Sequence, residues 1–228
     1  MANSERISVA GVSATSLRVA PVWLAGSPLL VDAYALAVAA HGEQRRPSDG
    51  RYFLEHVVEV GELLRSDGFD DELVAVGLLH DSVERGTLQE RELRNGMGAS
   101  ICSLVLTLSE DATIASFARR KEGLRRQVEG GGSLAVTVYA ADKLSDIRGL
   151  RRGIEIFGDG LDERLGTSVP SMTAHYRESV EMVASMRPRS VFLPALYEQL
   201  DGLEEEVQTR RLELDTMTSD HRLRRIAG

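Results

Sequence analysis

The segment Leu78-Leu79-His80-Asp81-Ser82-Val83-Glu84 joins an adjacent His-Asp pair to a carboxylate four residues beyond the histidine. Such a doublet offers a divalent cation two bonds from a single turn. A Glu just beyond it can accept a proton from water activated there. Val74, Gly77, Leu78 and Leu79 read as a buried helix face, and in a continuing helix His80, Asp81 and Glu84 project to one side. Alone, the doublet has a simpler explanation, a buried histidine held by its neighbour or a solvated helix end.

Two further residues strengthen the chemical reading. His56 lies beside Val57, Val60, Leu63 and Leu64 on the apolar side of an expected helix, where a lone histidine reads as a satisfied core residue. Asp142 follows the largely apolar run 134–141 much as Asp81 follows its own. A buried carboxylate is costly unless paired or metal-bound, and the alternative is an exposed Asp beside Lys143. Together His56, His80, Asp81 and Asp142 make two imidazoles and two carboxylates. That set suits Mn²⁺, Fe²⁺ or Co²⁺ rather than a structural zinc built on cysteine.

The elements that must position these residues are helices. Ser27-Pro28 starts one that runs to His41, and a second spans about Phe53 to Ser66, closed by Asp67-Gly68. Asp70 and Asp71 open a third, which is expected to carry His80, Asp81 and Glu84. Thr87 with Glu90 reads as a capping box, and Gly96-Met97-Gly98 as a break. Helices follow over about 99–108, 115–129, 134–151 and 171–187, with 153–170 expected as loop. A last helix runs from about Val191 to Met217. Its Leu193, Leu200, Val207 and Leu214 recur every seven residues, as do Leu196, Leu203 and Met217 with Arg210 interrupting. This pattern is either a seam between two copies of the chain or one long stripe laid on its own domain.

The expected fold is therefore all-α, a single helical bundle of residues 27–203. An extended or flexible arm of 1–26 precedes it and a helical extension of 204–228 follows. The length of 228 residues and a hydrophobic fraction of 43% suit one globular domain. A net charge of −8 and a pI of about 5.2 argue against general nucleic-acid binding. Binding an anionic nucleotide then needs a local basic cluster, and Arg45, Arg46 and Arg51 form one in the polar turn 42–51, which is otherwise a solvated loop. Cys102 is the sole cysteine, in an apolar run, and reads as an inert buried thiol. No apolar run reaches membrane-spanning length and no signal peptide is legible, which predicts a cytoplasmic protein.

The order His…His-Asp…Asp on a helical scaffold resembles the HD phosphohydrolase superfamily. The likeness narrows further. Ala39-Ala40-His41, Gln44-Arg45-Arg46, His56, the 78–84 segment, Ala141-Asp142-Lys143-Leu144-Ser145-Asp146-Ile147-Arg148 and His175-Tyr176 are similar to the hydrolase domain of the RelA/SpoT group, above all its small stand-alone members related to the metazoan SpoT homologue. The resemblance spans roughly 29–203. It implies a manganese-dependent enzyme that removes the 3′-pyrophosphate from (p)ppGpp. It also implies His56, His80, Asp81 and Asp142 as metal ligands, Arg46 against the guanine, and Glu84 as the first of two acids that orient and deprotonate the attacking water.

The chain departs from that pattern. The second acid is Arg85, and an asparagine four residues after the last metal-binding aspartate is Asp146. A lysine is Tyr139, the Pro-Tyr before the first histidine is Tyr52-Phe53, and the proline after it is Val57. Arg85, Lys143 and Arg148 are candidates to neutralise phosphate, with Arg148 equally an ordinary partner for a Glu. Asp146 joins Arg46 and Lys143 as a substrate-binding candidate. Three readings follow: alarmone hydrolysis, an HD phosphohydrolase acting on another nucleotide or phosphorylated cofactor, and a binding module that keeps the metal cage without turnover. In each, the expected partners are one divalent metal and a phosphorylated small molecule, without nucleic acid or membrane, and with a homodimer possible through the C-terminal helix.

Overall fold

The computed structural model describes residues 20–226, with side chains through residue 212. Among the described residues there is no β-strand, only an isolated antiparallel bridge between Arg45 and Tyr52. The helices are α1 (Pro28–His41), α2 (Phe53–Ser66), α3 (Asp71–Leu79), α4 (Glu90–Thr107), α5 (Phe117–Gly130), α6 (Gly132–Phe157), α7 (Leu161–Leu165), α8 (Val169–Met186) and α9 (Leu193–Ile226).

Local chemistry sets several of these ends. Ser27 accepts the backbone N–H of Leu30, with Pro28 in the first turn. Asp70 accepts the N–H of Leu73 and starts α3. The capping box sits two residues later than expected, with Gln89 at the cap and Glu92 closing it. Thr87 is held instead against α1, its backbone N–H donating to Ala40 O at 3.3 Å. Gly98, at φ 85°, breaks α4 within the expected glycine cluster.

Two other expectations are corrected. The stretch 153–170 is not a loop: α6 continues to Phe157, and a 3₁₀ turn (Gly158–Gly160) and α7 follow. Likewise the end of the expected arm forms a 3₁₀ turn over Val22–Gly26, where Trp23 packs against the core. Residues 1–19 of that arm lie outside the described residues.

Two helices organise the core. In α3 every residue from Leu73 to Leu79 is buried, because α1, α2, α4 and α6 pack around it. Each fully buried Leu there contributes roughly 1.5–3 kcal/mol over exposure. Gly77 lets α2 approach: a Cβ at that position would stand 2.6 Å from Leu64 Cδ1. The second organiser, α6, contacts α2, α3, α4, α5, α8 and α9. Its Gly149 and Gly153 seat the 45–51 turn, since added Cβ atoms would meet the Arg46 guanidinium at 2.8 Å and Ser48 O at 1.8 Å.

As far as its side chains are described, the first part of the C-terminal stripe lies on its own domain. Leu193, Leu196, Leu200 and Leu203 are buried, and α9 packs on α6 and α8 of its own chain. Leu214 and Met217 of the expected seam lie outside the described side chains.

Candidate metal centre

The end of α3 delivers the doublet, by a route the periodicity did not foresee. The helix stops at Leu79, and 80–85 is a turn. Side chains take the carbonyls that would have continued it: His80 Nδ1 donates to Gly77 O at 2.8 Å and Ser82 Oγ donates to Leu79 O at 2.6 Å. A carbonyl only accepts, so His80 carries its proton on Nδ1. Its Nε2 is left facing the carboxylates, where it can hold either a proton or a cation.

His56 from α2 and Asp142 from α6 meet the doublet. His56 Nε2 lies 3.3 Å from Asp142 Oδ1 and 3.6 Å from Asp81 Oδ2. His80 Nε2 lies 3.4 Å from each of the same two oxygens. All four residues are buried. Two imidazole nitrogens and two carboxylate oxygens thus converge from α2, α6 and the turn after α3. His80 Nε2 is buried without a hydrogen-bond partner, and His56, His80 and Asp142 offer donor atoms within 4.8 Å of one another. An unpartnered imidazole nitrogen among carboxylates suits a cation in place of a proton.

The electrostatics agree. Burial lowers the His80 pKa, but Asp81 and Asp142 override it and raise it well above the usual histidine value. Burial likewise works against the two carboxylates' charge. The imidazoles beside them, and Lys143 beside Asp142, still hold both well below the usual range.

From Asp142 the charges alternate outward. Lys143 Nζ donates to Asp142 Oδ2 at 2.8 Å and to Asp146 Oδ2 at 2.7 Å. Arg46 Nη2 donates to Asp146 Oδ1 at 2.8 Å. A carboxylate at position 146 therefore bridges two buried cations. Lys143 also stands 5.0 Å over the ring of Tyr139, whose hydroxyl meets Ser179 Oγ at 2.8 Å and whose pKa burial pushes up to about 12.

On the other side of the centre, Glu84 accepts the backbone N–H of Glu110 at 2.7 Å. Burial, then the charge of Asp81, raise its pKa, with Arg85 opposing. Arg85 Nε lies 3.6 Å from Asp81 Oδ1 and 3.4 Å from Glu84 Oε1, its side chain 39% exposed. Arg148 does not reach this side; it donates to Glu59 Oε1 at 3.0 Å. Arg46, Asp81, Glu84, Arg85, Asp142, Lys143 and Asp146 all line one cavity of about 290 Å³.

Sequence reasoning passed over several residues here. Glu110 and Lys121 line the cavity as an ion pair, and no spacing rule announces them. Tyr176 lines it too. Ser145 Oγ donates to Glu59 Oε2 at 2.8 Å and meets His56 Nδ1 at 2.9 Å. Their signal was available: Glu59 is three residues after His56 and Ser145 three after Asp142, each on the same helix face as a candidate ligand.

The HD domain family matches residues 33–152. A GTP pyrophosphokinase of Brucella ovis is 33% identical over 132 residues, covering 54% of this chain and 17% of its own length. This chain thus spans a small part of that relative. A guanosine-3′,5′-bis(diphosphate) 3′-pyrophosphohydrolase of Danio rerio is 29% identical over 130 residues, covering 54% of this chain and 70% of its own. Among solved structures, a metazoan orthologue of SpoT that hydrolyses ppGpp superposes with a TM-score of 0.62 at 20% identity, covering 79% of this chain and 96% of that one. A Listeria monocytogenes protein superposes with a TM-score of 0.58 at 22% identity, covering 68% and 97%. These two likenesses establish the shared helical fold.

Proposed function

The chain belongs to the HD domain family, and on that premise we propose that it is a metal-dependent phosphohydrolase that removes the 3′-pyrophosphate of a guanosine 3′,5′-bis(diphosphate)-type alarmone. The observation that carries this is the convergence of His56, His80, Asp81 and Asp142, with Asp81 and Asp142 opening beside Glu84 onto one cavity. The relatives from Danio rerio and from a metazoan support the substrate class.

The mixed nitrogen and oxygen donor set supports manganese as the cation, held by His56, His80, Asp81 and Asp142. When bound, a divalent cation acidifies water from a pKa of about 15.7 to roughly 7–9 and polarises a phosphoryl oxygen. Glu84 accepts the proton. Its raised pKa brings it nearer neutrality than an ordinary glutamate, and the Glu110 N–H holds it in place. Five basic and five acidic side chains line the cavity, so a divalent cation leaves it net positive and fit for phosphates. Lys143 and Arg85 neutralise phosphate charge, while Arg46, backed by Asp146, meets the base.

Arg85 favours a second reading. Its guanidinium stands beside both Asp81 and Glu84, where the resemblance calls for an acid. A cation there suits a nucleotide or cofactor carrying a simple phosphate ester as well as a pyrophosphate. Turnover of ppGpp beside a panel of nucleotides phosphorylated at 2′, 3′ or 5′, with Mn²⁺ added, separates the two. Release of pyrophosphate from the 3′ position, abolished by His80→Ala or Asp81→Ala, is the expected result. Full turnover in a folded, metal-free His80→Ala/Asp81→Ala variant overturns both.

A further inference from the structure

We infer that Glu59, acting through the hydroxyl of Ser145, is a positioning residue that fixes the tautomer and orientation of His56 for a cation. The inference rests on the metal-binding reading above and deepens it.

The hydrogen-bond directions are forced. Glu59 is kept ionised: burial raises its pKa, but bonds from Ser145 and Arg148 override this and lower it. A carboxylate only accepts, so the Ser145 proton points to Glu59 Oε2. The hydroxyl has no second proton to give, so at 2.9 Å it must accept from His56 Nδ1–H. The Nε2 lone pair of His56 is then the one that faces Asp81 and Asp142. Arg148 holds the other oxygen of Glu59 at 3.0 Å and closes the chain at the surface.

Location separates this chain of groups from substrate contact. Ser145 is wholly buried and, like Glu59, does not line the 290 Å³ cavity. Glu59 lies instead on the wall of a second cavity, of about 280 Å³, which His56 also lines. His80 reaches the same tautomer by another means, through a backbone carbonyl. A serine hydroxyl can rotate and a carbonyl cannot, so His56 is the ligand that needs an outer partner to fix its proton.

The test uses the full chain with Ser145→Ala, Glu59→Leu, Glu59→Gln and the Ser145→Ala/Glu59→Leu pair. Nitrogen-15 shifts of the His56 ring in metal-free protein read the tautomer, and Mn²⁺ titration followed by electron paramagnetic resonance reads affinity. The wild type is expected to show Nδ1–H. Ser145→Ala is expected to lose that preference and to weaken Mn²⁺ binding about tenfold. Glu59→Leu is expected to weaken it less, and not at all further in the Ser145→Ala background. Glu59→Gln, which can still accept from Ser145, restores most of the loss. An Nε2–H tautomer in the wild type, additive effects in the pair, or unchanged affinity in Ser145→Ala with Mn²⁺ bound each overturn the inference alone. A wild type that binds no Mn²⁺ overturns it together with the metal-binding reading.

Discussion

His80 and His175 are both buried, and each leaves a buried Nε2 with no hydrogen-bond partner. They nevertheless sit in opposite fields. Around His80 stand Asp81 and Asp142, and its pKa rises in spite of burial. Around His175 stand Lys143, Lys121 and Arg125, and its pKa falls well below the usual value, first by burial and then by those cations. Arg125 Nη1 donates to His175 Nδ1 at 2.9 Å, so the ring is neutral and its orphan is an N–H, not a lone pair. Lys143 takes part in both sites: it neutralises Asp142 on one side and keeps His175 uncharged on the other. Burial and an unpaired nitrogen therefore do not identify a metal ligand. The sign of the neighbouring charge sets the two apart.

The largest expected effect breaks this comparison at its acidic end. Asp142→Ala should abolish cation binding and lower turnover by more than about 10²-fold, beyond what loss of an outer partner costs. His175→Asn should leave the bound cation in place, as metal analysis of the purified proteins will show. The next effect is thermodynamic. Mn²⁺ at a hundred times its dissociation constant should stabilise the wild type by about 2.7 kcal/mol. The same increment is expected in His175→Asn and none in Asp142→Ala, read from denaturant midpoints with and without chelator. An equal increment in all three would place the cation elsewhere.

The clustering of His56, His80, Asp81 and Asp142 was legible because each lies within or just after an apolar run: His56 among Val57 and Val60, Asp81 after Leu78-Leu79, Asp142 after Ala140-Ala141. Buried faces are what periodicity reports. The helical class and most helix starts were legible for the same reason, through Ser27, Asp70 and the glycine breaks. The turn at 80–85 was not, because His80 and Ser82 end α3 by capturing carbonyls of their own helix, and helical spacing is blind to that choice. Nor was the role of Asp146. Its charge makes sense only once Arg46, a hundred residues earlier, is brought to it across the glycine face of α6.

The same rule, applied to Glu84, gives a smaller and sharper effect. Burial and Asp81 raise its pKa while Arg85 opposes them. In the metal-loaded enzyme the cation's charge lowers the Glu84 pKa in turn, so the informative quantity is the shift of the acid limb of the pH–rate profile between variants. Arg85→Met removes the opposing charge and should move that limb upward. A downward move would mean that Glu84 is not the group being titrated.

The smallest effect tests the basic end. A histidine whose folded pKa is depressed below about 6.5 refuses a proton that the unfolded chain accepts. Its contribution to stability is complete above about pH 6.5 and is lost as pH falls towards the folded value. His80 without a cation has the opposite sign: its contribution is complete below about 6.5 and is lost as pH rises through the raised folded value. In chelator, the two partly cancel in the wild type. His175→Asn removes one of them, since an Asn amide can still accept from Arg125 but does not titrate. Its urea midpoints between about pH 8 and 5.5 should therefore climb more steeply towards acid than those of the wild type. Identical slopes would mean that His175 carries its proton in the folded chain, and that the cations around it do not govern its charge.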